Sequence, residues 1–235
     1  MLRVTRKTAA ILCFRRALLV TTSSATSSRA LNPKTLFIKG AKHSNTAITE
    51  ALKEHHKTLT FAEIANILFV SSKNHHCLNP AQLQYIVSAI QQKSGRVNTV
   101  SISKTFYGLK LQSSDNKLVL DLLRDVHSLL TGPSCSQLKP FNGQAIGAMV
   151  YGFQRMNSKH VEVRNMINYF TGAINDCEEP LSVQNISSLL YGIQNFDSEH
   201  VEVSQLSHLK TILSADTMGY CINMALFSVP VIYFI

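Results

Sequence analysis

The sequence predicts an all-α protein, an α-solenoid of stacked helix-turn-helix repeats of about 38–44 residues each, and three observations predict it. Two stretches, FNGQAIGAMVYGFQRMNSKHVEV from Phe141 and LSVQNISSLLYGIQNFDSEHVEV from Leu181, lie 40 residues apart, and their ungapped alignment keeps 11 identities in 34 positions, more than unrelated helices retain by chance. Both halves of each copy space their apolar residues at helical intervals. A helix-capping residue recurs one position before each first helical turn.

The first element in order is a leader, residues 1–35. It has no acid, spaces Arg3, Arg6, Lys7, Arg15 and Arg16 among apolar residues, and turns Ser/Thr-rich at 21–28. That composition is that of a transit peptide and not of a secretory signal, because the uninterrupted apolar run is too short. The basic amphipathic pattern predicts import into the mitochondrion, with the plastid as the alternative. Residues 36–57 then read as a basic linker. Residues 1–57 hold 11 Lys or Arg and 2 acids, whereas the rest of the chain balances 12 against 12, so the net charge of +9 belongs to the leader and linker. The pI near 9.4 is therefore no argument that the body binds a polyanion.

The repeats occupy 58–216. Copies starting at Leu59 and Val97 precede the two clear ones, and the key aromatic falls at Phe69, Tyr107, Tyr151 and Tyr191, in steps of 38, 44 and 40 residues. Each unit reads as two helices. Ile146, Met149, Val150 and Phe153 form the stripe of one first helix, as do Ile186, Leu189, Leu190 and Ile193 in the next copy. Val163, Met166, Ile167, Phe170 and Ile174 form a second-helix stripe, and Leu118, Val119, Leu122, Leu123, Val126, Leu129 and Leu130 form a broader one. Thr60, Asn98, Asn142, Ser182 and Ser214 stand where a side-chain oxygen caps free N–H groups, Thr60 with Glu63 makes a capping box, and Asn79-Pro80 opens the second helix of the first unit. Gly108, Gly152 and Gly192 each follow the key aromatic. A glycine costs about 1 kcal/mol inside a helix relative to Ala, so its recurrence predicts close helix–helix approach.

A fifth start is visible at Leu213–Gly219, and residues 217–235 read as an incomplete fifth repeat with an apolar tail. Met218–Ile235 carries no charge, but Pro230, Asn223 and the overlapping repeat make it an ordinary core segment, or sequence of a truncated or misjoined reading frame, before a membrane span.

No enzyme, metal or cofactor is expected. The five cysteines are scattered without a close pair, and His55, His56, His75, His76 and Cys77, the one candidate metal group, read as exposed loop residues. His160-Val161-Glu162-Val163 recurs at 200–203. A catalytic pair is needed once, in a pocket, so this repetition argues against acid–base chemistry, and a Glu in the first turn suits the helix dipole.

A candidate binding surface is the stripe beside the apolar face of each first helix. Gln144, Gly147, Tyr151 and Gln154 share one face, as do Gln184, Ser187, Tyr191 and Gln194, and Val100, Ser103, Tyr107 and Lys110. Amide and phenol groups at regular pitch suit hydrogen bonding to, and stacking on, nucleobases. The competing reading is that Tyr and Gln complete contacts between repeats.

This recurring pattern of Gln, Ile, Tyr-Gly, Gln or Lys, then Ser and Val-Glu-Val resembles the helical-hairpin repeats of organellar proteins in the octotricopeptide-repeat class, over about 59–226. The resemblance implies sequence-dependent binding of single-stranded RNA in mitochondria or plastids, in transcript stability, processing, splicing or translation. It makes Gln144, Tyr151, Gln154, Gln184, Tyr191 and Gln194 the contact positions, with Tyr107 and Lys110 in the divergent repeat. The alternative is a protein-interaction scaffold that holds a protein partner inside the organelle. Lys104, Lys110, Arg155 and Arg164 together on one face would favour RNA, and acids scattered among them would favour a protein.

Overall fold

The structure, a computed structural model, describes residues 45–92, 97–135 and 138–208. The leader, the fifth repeat start with Ser214, and the apolar tail lie outside these residues. Among the described residues there are helices and turns and no strand: α1 (Asn45–His55), α2 (Phe61–Lys73), α3 (Pro80–Gln91), α4 (Thr99–Gly108), α5 (Lys117–Thr131), α6 (Gly143–Tyr151), α7 (Val161–Asn175), α8 (Val183–Gly192) and α9 (Val201–His208), with 3-10 turns at Leu109–Leu111 and Pro133–Cys135.

The helices begin where side-chain oxygens satisfy their free N–H groups. Thr60 accepts from the Glu63 amide and Glu63 reaches back to the Thr60 amide, closing a capping box. Asn79 does the same with Gln82, ahead of Pro80 in the first turn. Asn98, Asn142 and Ser182 each cap through the amide three residues on. His160, by contrast, precedes α7 without a side-chain cap bond.

Packing alternates along the chain. The first helices of the units pack α2 on α4, α4 on α6 and α6 on α8, and the second helices pack α1 on α3, α3 on α5, α5 on α7 and α7 on α9. The stretch expected as a linker over 36–57 therefore contains a helix that takes the place of a second helix ahead of α2. Ile48, Ala51 and Leu52 share one of its faces and are buried, and Thr49 Oγ1 accepts from the buried Gln82 amide at 3.1 Å. The net charge of this segment hid that apolar face.

The core lies between the two sets of helices. Ile146, Met149, Val150 and Phe153 are fully buried, as are Val163, Met166, Ile167 and Phe170. Phe106, Phe153 and Phe170 meet at centroid distances of 5.8, 5.2 and 4.9 Å, two of the three contacts edge-on. Burying each of these rings stabilises by about 1.5–3 kcal/mol, and each ring pair adds about 0.5–1.5 kcal/mol.

The recurring glycines stand at the ends of α4, α6 and α8 and not in helix interiors. Gly108 and Gly152 have φ of −62° and −61°, so a left-handed backbone is not what requires them. They are required by contact: a Cβ on Gly152 would overlap the Phe106 carbonyl, and one on Gly192 the Val150 carbonyl.

Candidate functional site

These backbone contacts set how closely the first helices approach, and hence how the aromatic preceding each glycine meets its neighbours. Phe69 and Tyr107 lie 5.3 Å apart, tilted by 45°, Tyr107 and Tyr151 stack at 5.8 Å and 26°, and Tyr151 and Tyr191 stack at 5.4 Å and 22°. The four rings make one ladder across α2, α4, α6 and α8. Tyr107 is buried, Tyr151 half-buried, and Tyr191 is 47% exposed. Burial first, then the neighbouring Tyr107 and Tyr191, push the Tyr151 phenol up to about 12, so it stays a neutral hydrogen-bonding group near pH 7.

Cations gather on this ladder. Lys73 Nζ stands 5.6 Å from the Phe69 ring centre and 5.2 Å from that of Tyr107. Lys104 Nζ is 5.8 Å from the Phe69 ring and donates to Asn66 Oδ1 at 2.8 Å. Lys110 Nζ lies 4.6 Å from the Tyr107 ring centre and donates to its hydroxyl at 3.1 Å. Lys110 is buried, and loss of solvation lowers its pKa. One unit further on, Arg155 Nη1 donates to the Leu111 carbonyl at 3.1 Å. Lys104, Lys110 and Arg155 donate to an amide oxygen, a hydroxyl and a carbonyl, none of which carries a charge.

The sequence stretches that carry them contain no acid. None occurs between Glu63 and Asp115, between Asp125 and Glu162, or between Glu179 and Asp197. Those intervals contain nearly all of the first helices, whereas the described acids other than Glu63 sit on second helices and loops. There they make ion pairs between units: Arg124 reaches Glu162 at 2.6 Å, Arg164 reaches Glu202 at 3.6 Å, and Lys159 reaches Asp115 at 3.5 Å. Arg124 holds the Glu162 carboxyl below its ordinary value. The repeated His-Val-Glu-Val is thus a joint between successive second helices, in which each Glu takes an Arg from the unit before. Arg164 belongs to this joint and not to the ladder, and it also donates to the Ser158 and Lys159 carbonyls at 2.9 Å.

The eight expected contact residues divide by position. Gln144, Gln184, Tyr191 and Gln194 are exposed, Tyr151 and Gln154 are half-buried, and Tyr107 and Lys110 are buried. Gln154 Nε2 donates to the Lys110 carbonyl at 2.9 Å, while the Gln154 carbonyl accepts from Asn195 Nδ2 at 2.6 Å, so this glutamine links three successive units. The two faces of Tyr151 meet Tyr107 and Tyr191, which leaves Tyr191 as the ring with most surface for stacking. The Tyr and Gln positions therefore do join repeats in the middle of the ladder, and outward-facing amides stand beside them.

Sequence reasoning passed over Phe69, Asn66 and Lys73 as surface residues of this ladder. A signal was present: Lys73 follows its ring by the same interval as Arg155 follows Tyr151, and the region around it is free of acids.

Among the described residues no group of three or more His, Cys, Asp or Glu stands where it could hold a metal ion, and no helix is long and apolar enough to cross a membrane. His76 pairs with Gln82 at 3.4 Å, and His75 takes a left-handed φ of 55° just past the end of α2. Compared with models of known families, with curated proteins and with solved structures, the chain matches none.

Proposed function

We propose that residues 58–216 form an α-solenoid whose first-helix surface binds single-stranded RNA, and that the protein acts in RNA stability, processing or translation inside the mitochondrion, or the plastid, reached through residues 1–35. One observation carries the reading: Lys73, Lys104 and Lys110 stand over the rings of an aromatic ladder whose first helices lack acids beyond Glu63. Attraction to phosphates supplies the sequence-independent part of affinity for nucleic acid, and it needs positive charge without carboxylates nearby. The exposed amides of Gln144, Gln184 and Gln194 and the ring of Tyr191 then suit hydrogen bonding and stacking with bases. Zero net charge over residues 58–235 is compatible with this, since among the described residues the first helices carry Lys73 and Lys104 and no acid beyond Glu63.

Crosslinking and immunoprecipitation of the tagged protein from intact organelles tests the proposal. Enrichment of one or a few organellar transcripts is the expected result, and recovery of no RNA above an untagged control from imported protein overturns it. A protein partner is the second reading, favoured by Val100 and Val183, which are 60% and 39% exposed at the starts of α4 and α8. Co-purification of one stoichiometric protein without RNA would support it.

A further inference from the structure

We infer that Tyr191 and Gln194 form a binding site for an unpaired adenine at the α8 end of the ladder, a deeper reading of the proposed RNA surface and dependent on it. Tyr107 and Tyr151 each meet rings of two other units, whereas Tyr191 stacks by one face on Tyr151, at 5.4 Å and 22°, and is still 47% exposed. The sequence does not continue the ladder past it. Counted from the fifth start, Asn223 and Met224 fall where Tyr191 and Gly192 stand in their unit. A Cβ on Gly192 would overlap the Val150 carbonyl, so the close approach that stacks one ring on the last needs a glycine, and the fifth start does not supply it.

The residue three places after each tyrosine decides what that ring can do. Lys110 reaches back to the Tyr107 hydroxyl at 3.1 Å, and Gln154 is spent on the joint between units, donating to the Lys110 carbonyl at 2.9 Å. In the α8 unit the matching carbonyl, that of Gln154, takes Asn195 Nδ2 at 2.6 Å instead. Gln194 is thereby released from the joint and exposed, at the place from which Lys110 reaches the edge of its ring. A carboxamide presents a donor and an acceptor side by side. Adenine matches that pair on both of its hydrogen-bonding edges, through N6 with N1 or N6 with N7, so an adenine stacked on Tyr191 is read in either orientation. Guanine offers two acceptors on its N7 edge, and the pyrimidines offer one matching edge and a smaller ring to stack.

The test uses the full chain and fluorescein-labelled oligouridine, unaltered or with one central adenine or cytosine, with affinity measured by anisotropy. The unaltered protein is expected to prefer the adenine strand by about tenfold, the scale of one bidentate base contact. Tyr191→Leu should abolish that preference and Tyr191→Phe should keep it, since stacking needs the ring and not the hydroxyl. Gln194→Glu leaves acceptors alone and should move the preference to cytosine, whose amino group donates, a gain that disturbed folding does not produce. Gln205→Glu adds the same charge at an exposed place on α9 and should leave the preference unchanged. Circular dichroism and melting establish that each variant folds, and Gln194→Glu, at an exposed turn position, keeps the test valid if Tyr191→Leu does not fold. RNA binding without an adenine preference, or a preference indifferent to both substitutions, as it would be with the chain beyond His208 or a protein partner over the ring, overturns the site while leaving RNA binding intact. Failure of the unaltered protein to bind any of the strands overturns the RNA reading and the site with it.

Discussion

The carbonyl oxygen of Phe106 occupies the place where a side chain on Gly152 would begin. The same relation joins Gly192 to Val150 and Gly108 to Leu68, so each glycine meets the residue that precedes the ring of the unit before. Helix spacing and ring spacing are two results of that one contact.

Gly152→Ala is expected to destabilise the protein by at least about 1–3 kcal/mol, since the obstacle is backbone and cannot rotate away. Gly172→Ala is the counterpart: nothing lies within 4 Å of its Cβ position, and it sits inside α7. Removing a helical glycine there stabilises by about 0.5–1 kcal/mol. Urea unfolding of the two variants should move the midpoint in opposite directions.

Tyr151→Leu removes both stacked contacts and is expected to cost about 1–3 kcal/mol, from two ring pairs of about 0.5–1.5 kcal/mol each. Tyr151→Phe keeps the rings and should change stability little. Absorbance titration of the unaltered protein should show two phenols, Tyr151 and Tyr169, that ionise near pH 12, and Tyr151→Phe should remove one of them.

Two carboxyls near Arg124 should respond to pH in opposite senses. The arginine holds Glu162 below its ordinary value, so the stability it contributes is present above the ordinary carboxylate range and lost as pH falls through the lowered value. Glu162→Gln should therefore destabilise near pH 7, with the difference vanishing in acid. Loss of solvation, with the nearby Asp121 charge, raises the pKa of Asp125, although Gln91 donates to it and Arg124 partly offsets the rise. Ionised Asp125 is thus a cost that grows as pH rises through its raised value. Asp125→Asn should stabilise near pH 7, and its advantage should fade below the ordinary carboxylate range. Melting temperatures across that range check both.

On the proposed RNA surface, Gln184→Ala with Gln194→Ala should weaken binding of a preferred sequence by tenfold or more while leaving the salt slope unaltered. One good bidentate base contact is worth about 1–3 kcal/mol, which is the scale of that loss. Competition between oligonucleotides of different sequence, before and after the substitutions, checks whether discrimination has gone.

Much of this architecture was legible in the sequence because its causes are local. Helical spacing, a capping oxygen three residues ahead of a free amide, and Pro80 in a first turn act within one helix, so Thr60, Asn79, Asn98, Asn142 and Ser182 could be placed without knowing what packs against them. The recurrence of Tyr-Gly at 107–108, 151–152 and 191–192 likewise announced a contact repeated between units. What only the tertiary structure decided is which atoms meet across helices. It gave the second-helix place ahead of α2 to a segment whose charge suggested a linker. It buried Tyr107 and Lys110 while leaving Tyr191 and Gln194, which stand at the corresponding positions of their unit, exposed. It brought Lys73 to the ring of Tyr107 and assigned Arg164 to a joint with Glu202. Spacing within a helix sets the direction of a side chain, but its burial and partners depend on residues about 40 positions away, which no local pattern specifies.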